Sequence, residues 1–411
     1  MKSVCMLLQN PYDIDVRVRR KAEALVAAGY SVDVLALRAS HAEKSYTLNG
    51  VNVYTLALGK KRGTLPRYVF EYVAFFVWAF VRVSLLMPRK RYAVIDVNTL
   101  PDFLIFAPVL ARWMGAKLVL DMHEITPEFY VSKYGIAEGS WIVRVLRLQE
   151  KMSFNFADHV ITIHEPIQDL LVGRGLSRAK STVIMNSADE SGFAARAQAP
   201  RAASAAASPT FVMMYHGTLT RIYGLDLAIE AFALARHEMP GAEFWILGDG
   251  PEMGSLERLA RARGLASSVN LLGSVPPAEV AAWVEKCDIG VLPMRRDVFL
   301  DYAFPNKLSE YIVLGKSVVV ARLKAIGHYF SEDALAYFEP NSHADLAKQM
   351  VRVSRDAGLR GRLAARAKAE YAPICWGVMK ERYLTLMARL AGPAGPALKV
   401  SRPAEAAGSP R

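Results

Sequence analysis

The feature that most constrains this chain is an alternation of short apolar runs with stretches of helical period, which breaks once and then begins again. In the first half the runs are Val4–Leu8, Ser31–Leu37, Val51–Leu56, Ala93–Val97, Lys117–Leu120, His159–Ile163 and Thr182–Met185. Between the first two, Val18, Ala22, Leu25 and Val26 recur at helical spacing and Gly29 supplies a stop. Strands that are apolar on both faces must be covered on both faces, which predicts a parallel sheet with helices on each side. The alternation stops in AARAQAPRAASAAASP, Ala194 to Pro209, whose only apolar repeat is alanine. It restarts at Phe211–Tyr215, Phe244–Leu247, Val269–Leu272, Ile289–Leu292 and Ser317–Val320, again with helical stretches between.

The prediction is therefore an α/β chain of two doubly wound, Rossmann-like domains, 1–190 and 210–372, joined by a linker at 191–209. A C-terminal helix at 373–391 is placed to return to the first domain, and 392–411 is expected to be a disordered tail. A chain of 411 residues with 52% hydrophobic content can bury two such cores. Two domains of this kind in series should enclose a cleft. Their ligands lie beyond the carboxyl ends of the strands, so function is sought in the strand-to-helix turns.

The most informative turn is AFPNKLSEYIVLGKSVVVA, Ala303 to Ala321. Pro305 precedes a helix beginning near Asn306, whose N-terminus offers unpaired N–H groups and the positive end of a dipole to a phosphate. Lys307 in that first turn opposes the dipole, which points to an anionic ligand. Glu310 follows on the same side of the helix, where a carboxylate can accept both hydroxyls of a ribose. Elsewhere, Gly217 follows the strand that opens the second domain and would let the backbone approach a diphosphate. Asp249 sits in a Gly-Asp-Gly turn, and His123 and His164 each end a strand. Asp13-Ile14-Asp15 imitates a metal-binding pair, but Asp15 is better placed as the cap of the helix that follows.

These stretches, in this order, resemble the GT4-type glycosyltransferases, which have the two-domain GT-B fold. LDYAFPNKLSEYIVLGKSVVVAR is similar to the family's donor-sugar-nucleotide motif. DVRVRRKAEALVAAGYSVDVLALR, VNTLPDFLIFAPVLARWMGAKLVLDMHEITPEFY, HVITIHEPIQDLLVGRGL, YHGTLTRIYGLDLAIEAF and ILGDGPE resemble its other segments in sequence, from about residue 4 to about 380. The resemblance implies sugar transfer from a nucleoside diphosphate sugar, with retention at the anomeric carbon and no metal or other cofactor. It implies backbone N–H groups around Phe304, Pro305, Asn306 and Lys307 for the phosphates, Glu310 for the ribose, and Asp249 in a loop bordering the donor. It makes His123 the active-site histidine, with His164 and Glu165 as the competing pair. Two departures stand out. Where the family has a donor-sugar glutamate this chain has Tyr302, beside Asp301. Where it has an Arg and a Lys after the strand opening the second domain, this chain has Thr218 and Tyr223, leaving Arg221 as the nearest cation for the pyrophosphate. The alternatives to a transferase are a sugar-nucleotide epimerase on the same fold, or an inactive membrane-associated scaffold.

Charge adds a location. The formal net charge is +12, and it is concentrated. Eight basic residues between Lys60 and Tyr92 face Glu71 alone, and eleven between Arg355 and the end face four acidic ones. No RNA- or zinc-finger-type pattern accompanies them, so nucleic acid is not the expected partner. Cys5, Cys287 and Cys375 fit neither a disulfide framework nor a metal site, which favours a reducing compartment. The N-terminus reads as a strand, not a signal peptide. The apolar stretch from Tyr68 to Met87 carries Glu71 and Arg82 on one helical face, which argues for a helix packed on the domain and lying at a membrane surface. Arg62, Arg67, Arg89, Lys90 and Arg91 would meet anionic lipid, while Phe75, Phe76 and Trp78 insert or pack nearby. The expected protein is cytoplasmic, peripheral at the cytoplasmic face of the membrane, and acts on a glycan or lipid-linked acceptor in surface polysaccharide biosynthesis.

Overall fold

The computed structural model describes residues 1–39, 43–58, 65–188, 190, 193 and 210–392. The chain divides into two compact units, one of 1–130, 136–184 and 379 onward, the other of 131–135 and 185–378. Of the expected linker and tail, residues 191, 192, 194–209 and 393–411 lie outside the described residues, as do Lys60, Lys61 and Arg62.

Among the described residues the first unit holds eight strands: β1 (Ser3–Pro11), β2 (Ser31–Leu37), β3 (Ser45–Leu48), β4 (Val51–Leu56), β5 (Tyr92–Asn98), β6 (Lys117–Met122), β7 (His159–Thr162) and β8 (Ser181–Val183). Their order is β3-β4-β2-β1-β5-β6-β7-β8. All neighbours are parallel except β3 and β4. That hairpin was not anticipated, although its turn is Asn49-Gly50, both residues at positive φ, the chemistry that a tight hairpin requires. The central strands β1, β5 and β6 are almost wholly buried, as apolar runs covered on both faces must be.

The second unit holds β9 (Val212–His216), β10 (Glu243–Leu247), β11 (Val269–Gly273), β12 (Ile289–Leu292), β13 (Ser317–Ala321) and β14 (Ala336–Phe338). The order is β11-β10-β9-β12-β13-β14, all parallel. The three-residue β14 was too short to be read from period alone.

Of the C-terminal helix Trp376–Ala391, the residues from Met379 onward belong to the first unit. Its Tyr383 is fully buried there and donates to Asp96 Oδ2 at 2.8 Å.

Candidate functional site

In the second unit the site begins where β9 ends. Gly217 takes φ +124°, and a Cβ at that position would lie 2.3 Å from Lys307 Cε and 2.8 Å from its Nζ. The lysine side chain therefore lies across the bare face of this glycine, and any side chain at 217 would have to displace it while holding a strained φ. The Gly-Asp-Gly turn is pressed against the same corner. A Cβ on Gly248 would fall 1.8 Å from the Gly217 carbonyl oxygen, and one on Gly250 2.3 Å from that of Leu219. Asp249 itself is exposed and its carboxylate accepts from the Gly250 N–H at 2.7 Å.

The helix Asn306–Val313 is held by Tyr311. Its ring packs where Gly290 of β12 has no side chain, and its hydroxyl donates to the Met214 carbonyl of β9 at 2.8 Å. This fixes the helix N-terminus beside Gly217. Pro305 occupies the cap position, and among the described residues no side chain caps the helix. Phe304 packs against Tyr329 and Phe330, so it can offer only its backbone to a ligand.

The Lys307 ammonium stands 4.4 Å from the ring centroid of Tyr223 and 5.3 Å from that of Tyr215. Burial pushes its pKa down to about 8, with Glu310 opposing the shift. The cost of keeping this charge away from water is what an anion would relieve. Glu310 Oε2 lies 3.3 Å from His216 Nε2. Burial holds His216 at a pKa of about 3, with Lys307 adding to the depression, so this imidazole is neutral at ordinary pH and the contact is not an ion pair. Ring centroids of His216 and Tyr311 are 5.2 Å apart, which makes His216 a packing residue beneath the site.

Tyr223 stands at one of the three departing positions, and its ring faces the Lys307 cation. Arg221 is exposed in the turn Arg221–Tyr223, and among the described residues its side chain has no bond to Gly217, Lys307 or Glu310. Tyr302 is engaged by Lys324, whose Nζ is 3.1 Å from its hydroxyl. Asp301 accepts from the Lys324 N–H at 3.0 Å and pairs with Arg296, so it is not free to stand in for the missing glutamate.

In the first unit His123 follows β6 and is buried. Its Nε2 lies 3.0 Å from Asn98 Oδ1, and its backbone N–H donates to Thr99 Oγ1 at 3.1 Å. Asn98 donates through Nδ2 to the Leu7 carbonyl at 3.3 Å, which fixes which end of the amide faces the histidine. The imidazole must then carry its proton on Nε2 and present Nδ1 as an acceptor. Among the described residues Nδ1 has no hydrogen-bond partner. Burial, aided by Arg17 and Lys21, holds the pKa of His123 well below its ordinary value, while Asp15 opposes the shift. Below the ring, Lys21 pairs with Asp121, and Asp96 takes the bond from Tyr383. Burial and the neighbouring Asp121 push the Asp96 carboxyl up to about 7. Sequence reading missed Asn98, Lys21, Asp96 and Tyr383. The available signal was polar residues inside apolar strands, as in VIDVN.

The competing histidine is accounted for. His164 caps the helix Glu165–Gly173, its Nδ1 accepting from the Ile167 N–H at 3.3 Å. Asp15 caps the helix Val16–Ala27 and pairs with Arg17, while Asp13 takes a 2.7 Å bond from Tyr46. Among the described residues no group of three or more His, Cys, Asp or Glu could hold a metal ion.

Two doubly wound sheets, parallel but for the β3–β4 hairpin, with a glycine-lined corner and a cation at a helix N-terminus in the second, make up the GT-B fold. Residues 14–187 match the glycosyl transferase 4-like domain and residues 210–356 the family described as glycosyl transferases group 1, so the chain belongs to the GT4-type glycosyltransferases. It is 24% identical over 272 residues to the "probable glycosyltransferase WbjE" of Pseudomonas aeruginosa, covering 65% of this chain and 67% of that one. To the amylovoran biosynthesis glycosyltransferase AmsK of Erwinia amylovora it is 28% identical over 156 residues, 37% of this chain and 38% of that one. Among solved structures, sucrose-phosphate synthase of Thermosynechococcus elongatus superposes with a TM-score of 0.74 at 17% identity, covering 95% and 99%. HepE of Anabaena in complex with UDP does so at 0.68 and 16%, covering 95% and 100%.

Proposed function

We propose that this protein transfers a sugar from a nucleoside diphosphate sugar to a glycan or lipid-linked acceptor, with retention at the anomeric carbon, in surface polysaccharide biosynthesis. The observation that carries the reading is Lys307. A half-buried ammonium lies across Gly217 at an uncapped helix N-terminus, with Glu310 one turn further on. The N–H groups of Asn306 and Lys307 and the ammonium form a place for a diphosphate whose charge grows as the sugar leaves. Glu310 would accept the ribose hydroxyls. The UDP held by HepE supports a nucleotide in this fold, and AmsK supports a polysaccharide product.

In this assignment Gly217, Asp249, Phe304, Pro305, Asn306, Lys307 and Glu310 serve the donor. Arg221 is a second cation that reaches the pyrophosphate only if its exposed side chain reorients. His123, through its free Nδ1, accepts from a hydroxyl near the reacting centre. The charge stabilisation comes from protein groups, so the reaction needs no metal. The protein would work as a peripheral protein at the cytoplasmic face of the membrane.

The test is incubation with a panel of sugar nucleotides, with and without lipid and glycan acceptors. The reading requires nucleoside diphosphate release that depends on both substrates, and a product of unchanged anomeric configuration by NMR. An epimerised sugar nucleotide formed without acceptor would replace the transferase reading with the epimerase one.

A further inference from the structure

The helix Leu65–Lys90 inverts the usual arrangement of a surface helix. Its two mid-helix charges face the protein: Glu71 is buried and bonded to Arg67 at 2.8 Å, and the Arg82 guanidinium lies 5.1 Å from the Tyr54 ring centroid. Phe75, Ala79, Val83 and Met87 form the buried row, so of the two expected roles, inserting or packing, Phe75 takes the packing one. The outward row is Phe70, Val73, Val77, Val81 and Leu85, with exposures between 44% and 62%. The polar Ser84 on that side returns its hydroxyl to the Phe80 carbonyl at 2.6 Å. The solvent side of this helix therefore offers no charge from Phe70 to Leu85.

A second helix repeats the pattern. Along Trp141–Phe156 the residues Trp141, Val145, Leu148 and Met152 are all more than half exposed. At 100° per residue they fall within about 60° of one another, a single stripe. Arg144, Arg147 and Lys151 are exposed and line one flank of it. The one acidic residue of this helix, Glu150, is buried and paired with Arg174.

The topology puts both stripes on one face. The crossovers β4 to β5 and β6 to β7 run in the same direction along the sheet, so right-handed connections place both helices on the same side. Phe103 joins them: its ring is 5.9 Å from Phe76 and 6.5 Å from Tyr72, and its segment packs against the second helix. A small pocket between them is lined by Tyr72, Phe103, Leu146 and Gln149. Trp113, 77% exposed, and Met114 extend the same layer. Exposed apolar side chains gathered on one face in this way mark an interaction face.

We propose that this two-helix face docks on an anionic lipid bilayer, with the side chains of both stripes seated in the interface and the flanking cations against lipid headgroups. Charge selects this occupant. The exposed charges of the two helices are all basic: Arg89, Arg144, Arg147 and Lys151, joined by Arg67 and, just beyond the first helix, Arg91. A second copy of the chain would bring the same positive charge against itself. The helix Leu65–Lys90 does not span, because β4 and β5 at its two ends belong to one sheet and its buried row packs there. The proposal deepens the peripheral part of the proposed function and stands independently of the transferase part, since lipid binding and sugar-nucleotide binding are read separately.

The experiment is flotation of the full chain with phosphatidylcholine vesicles, with and without one quarter phosphatidylglycerol, alongside light scattering of the lipid-free protein. Variants are Val77→Glu with Leu85→Glu, Val145→Glu with Leu148→Glu, and Arg144→Gln with Arg147→Gln and Lys151→Gln. Expected are a monomer, binding to the anionic vesicles that high salt weakens, and at least a tenfold loss in each variant. Circular dichroism and any thermal shift with sugar nucleotide should match the wild type. Failure to float at low salt, equal binding by the variants, or a dimer that Val77→Glu with Leu85→Glu dissociates would overturn the proposal. Loss of sugar-nucleotide binding with lipid binding intact would count only against the transferase reading.

Discussion

The Lys307 ammonium sets a pH limit on donor binding. Its pKa is about 8 in the free protein because burial disfavours the charged form. A diphosphate beside it would favour that form and raise the pKa, so the charged lysine is the binding form. Affinity is then complete below about pH 8 and falls as pH rises past it. A group of pKa 8 is about nine-tenths charged at pH 7 and about one-tenth at pH 9, so affinity should drop about tenfold between them. A sugar nucleotide has both phosphates ionised throughout this range and contributes no proton of its own. Calorimetry in buffers of different ionisation enthalpy should show uptake of about half a proton at pH 8. Lys307→Ala should weaken binding and abolish both the slope and the uptake. An affinity that is flat from pH 7 to 9, or a slope that survives Lys307→Ala, would refute the diphosphate role.

Three further outcomes follow from the geometry. Gly217→Ala should weaken donor binding as severely as Lys307→Ala, because the new Cβ displaces the lysine side chain; calorimetry checks this, and unchanged affinity would mean the side chain is not needed where it lies. His123→Ala should lower turnover far more than donor affinity, measured with a fixed acceptor, since the ring touches the reacting centre in this account and not the nucleotide. Tyr383→Phe leaves the buried Asp96 carboxyl without its donor, which should cost about 1–3 kcal/mol in urea unfolding while donor affinity stays unchanged.

The two sheets were legible because buried parallel strands have little freedom in sequence: Val32, Val34, Ile95 and Val119 are apolar since both faces of each strand are covered. The antiparallel β3 escaped because it is a half-exposed edge strand whose only firm signal is Asn49-Gly50. In the site, helix 306–313 was readable from Pro305, Lys307 and Gly315. The support of His123 was not. Asn98, Lys21 and Asp96 act through contacts over long sequence separations, and Tyr383 reaches them from nearly 300 residues away. Such pairings leave no local period. The reading of Asp301 and Tyr302 was similarly blind to Lys324, which engages both.

The central claim is that a nucleoside diphosphate sugar binds at Glu310 and Lys307, and a thermal-shift screen of sugar nucleotides with the wild type and Glu310→Gln tests it most directly. At a ligand concentration 100-fold over the dissociation constant, binding stabilises the fold by about 2.7 kcal/mol. Loss of a charge-assisted ribose contact, about 1.5–3 kcal/mol, should remove most of that shift in Glu310→Gln while its melting temperature without ligand stays near the wild-type value. A screen in which no sugar nucleotide raises the wild-type melting temperature, or one raises that of Glu310→Gln equally, would contradict the account.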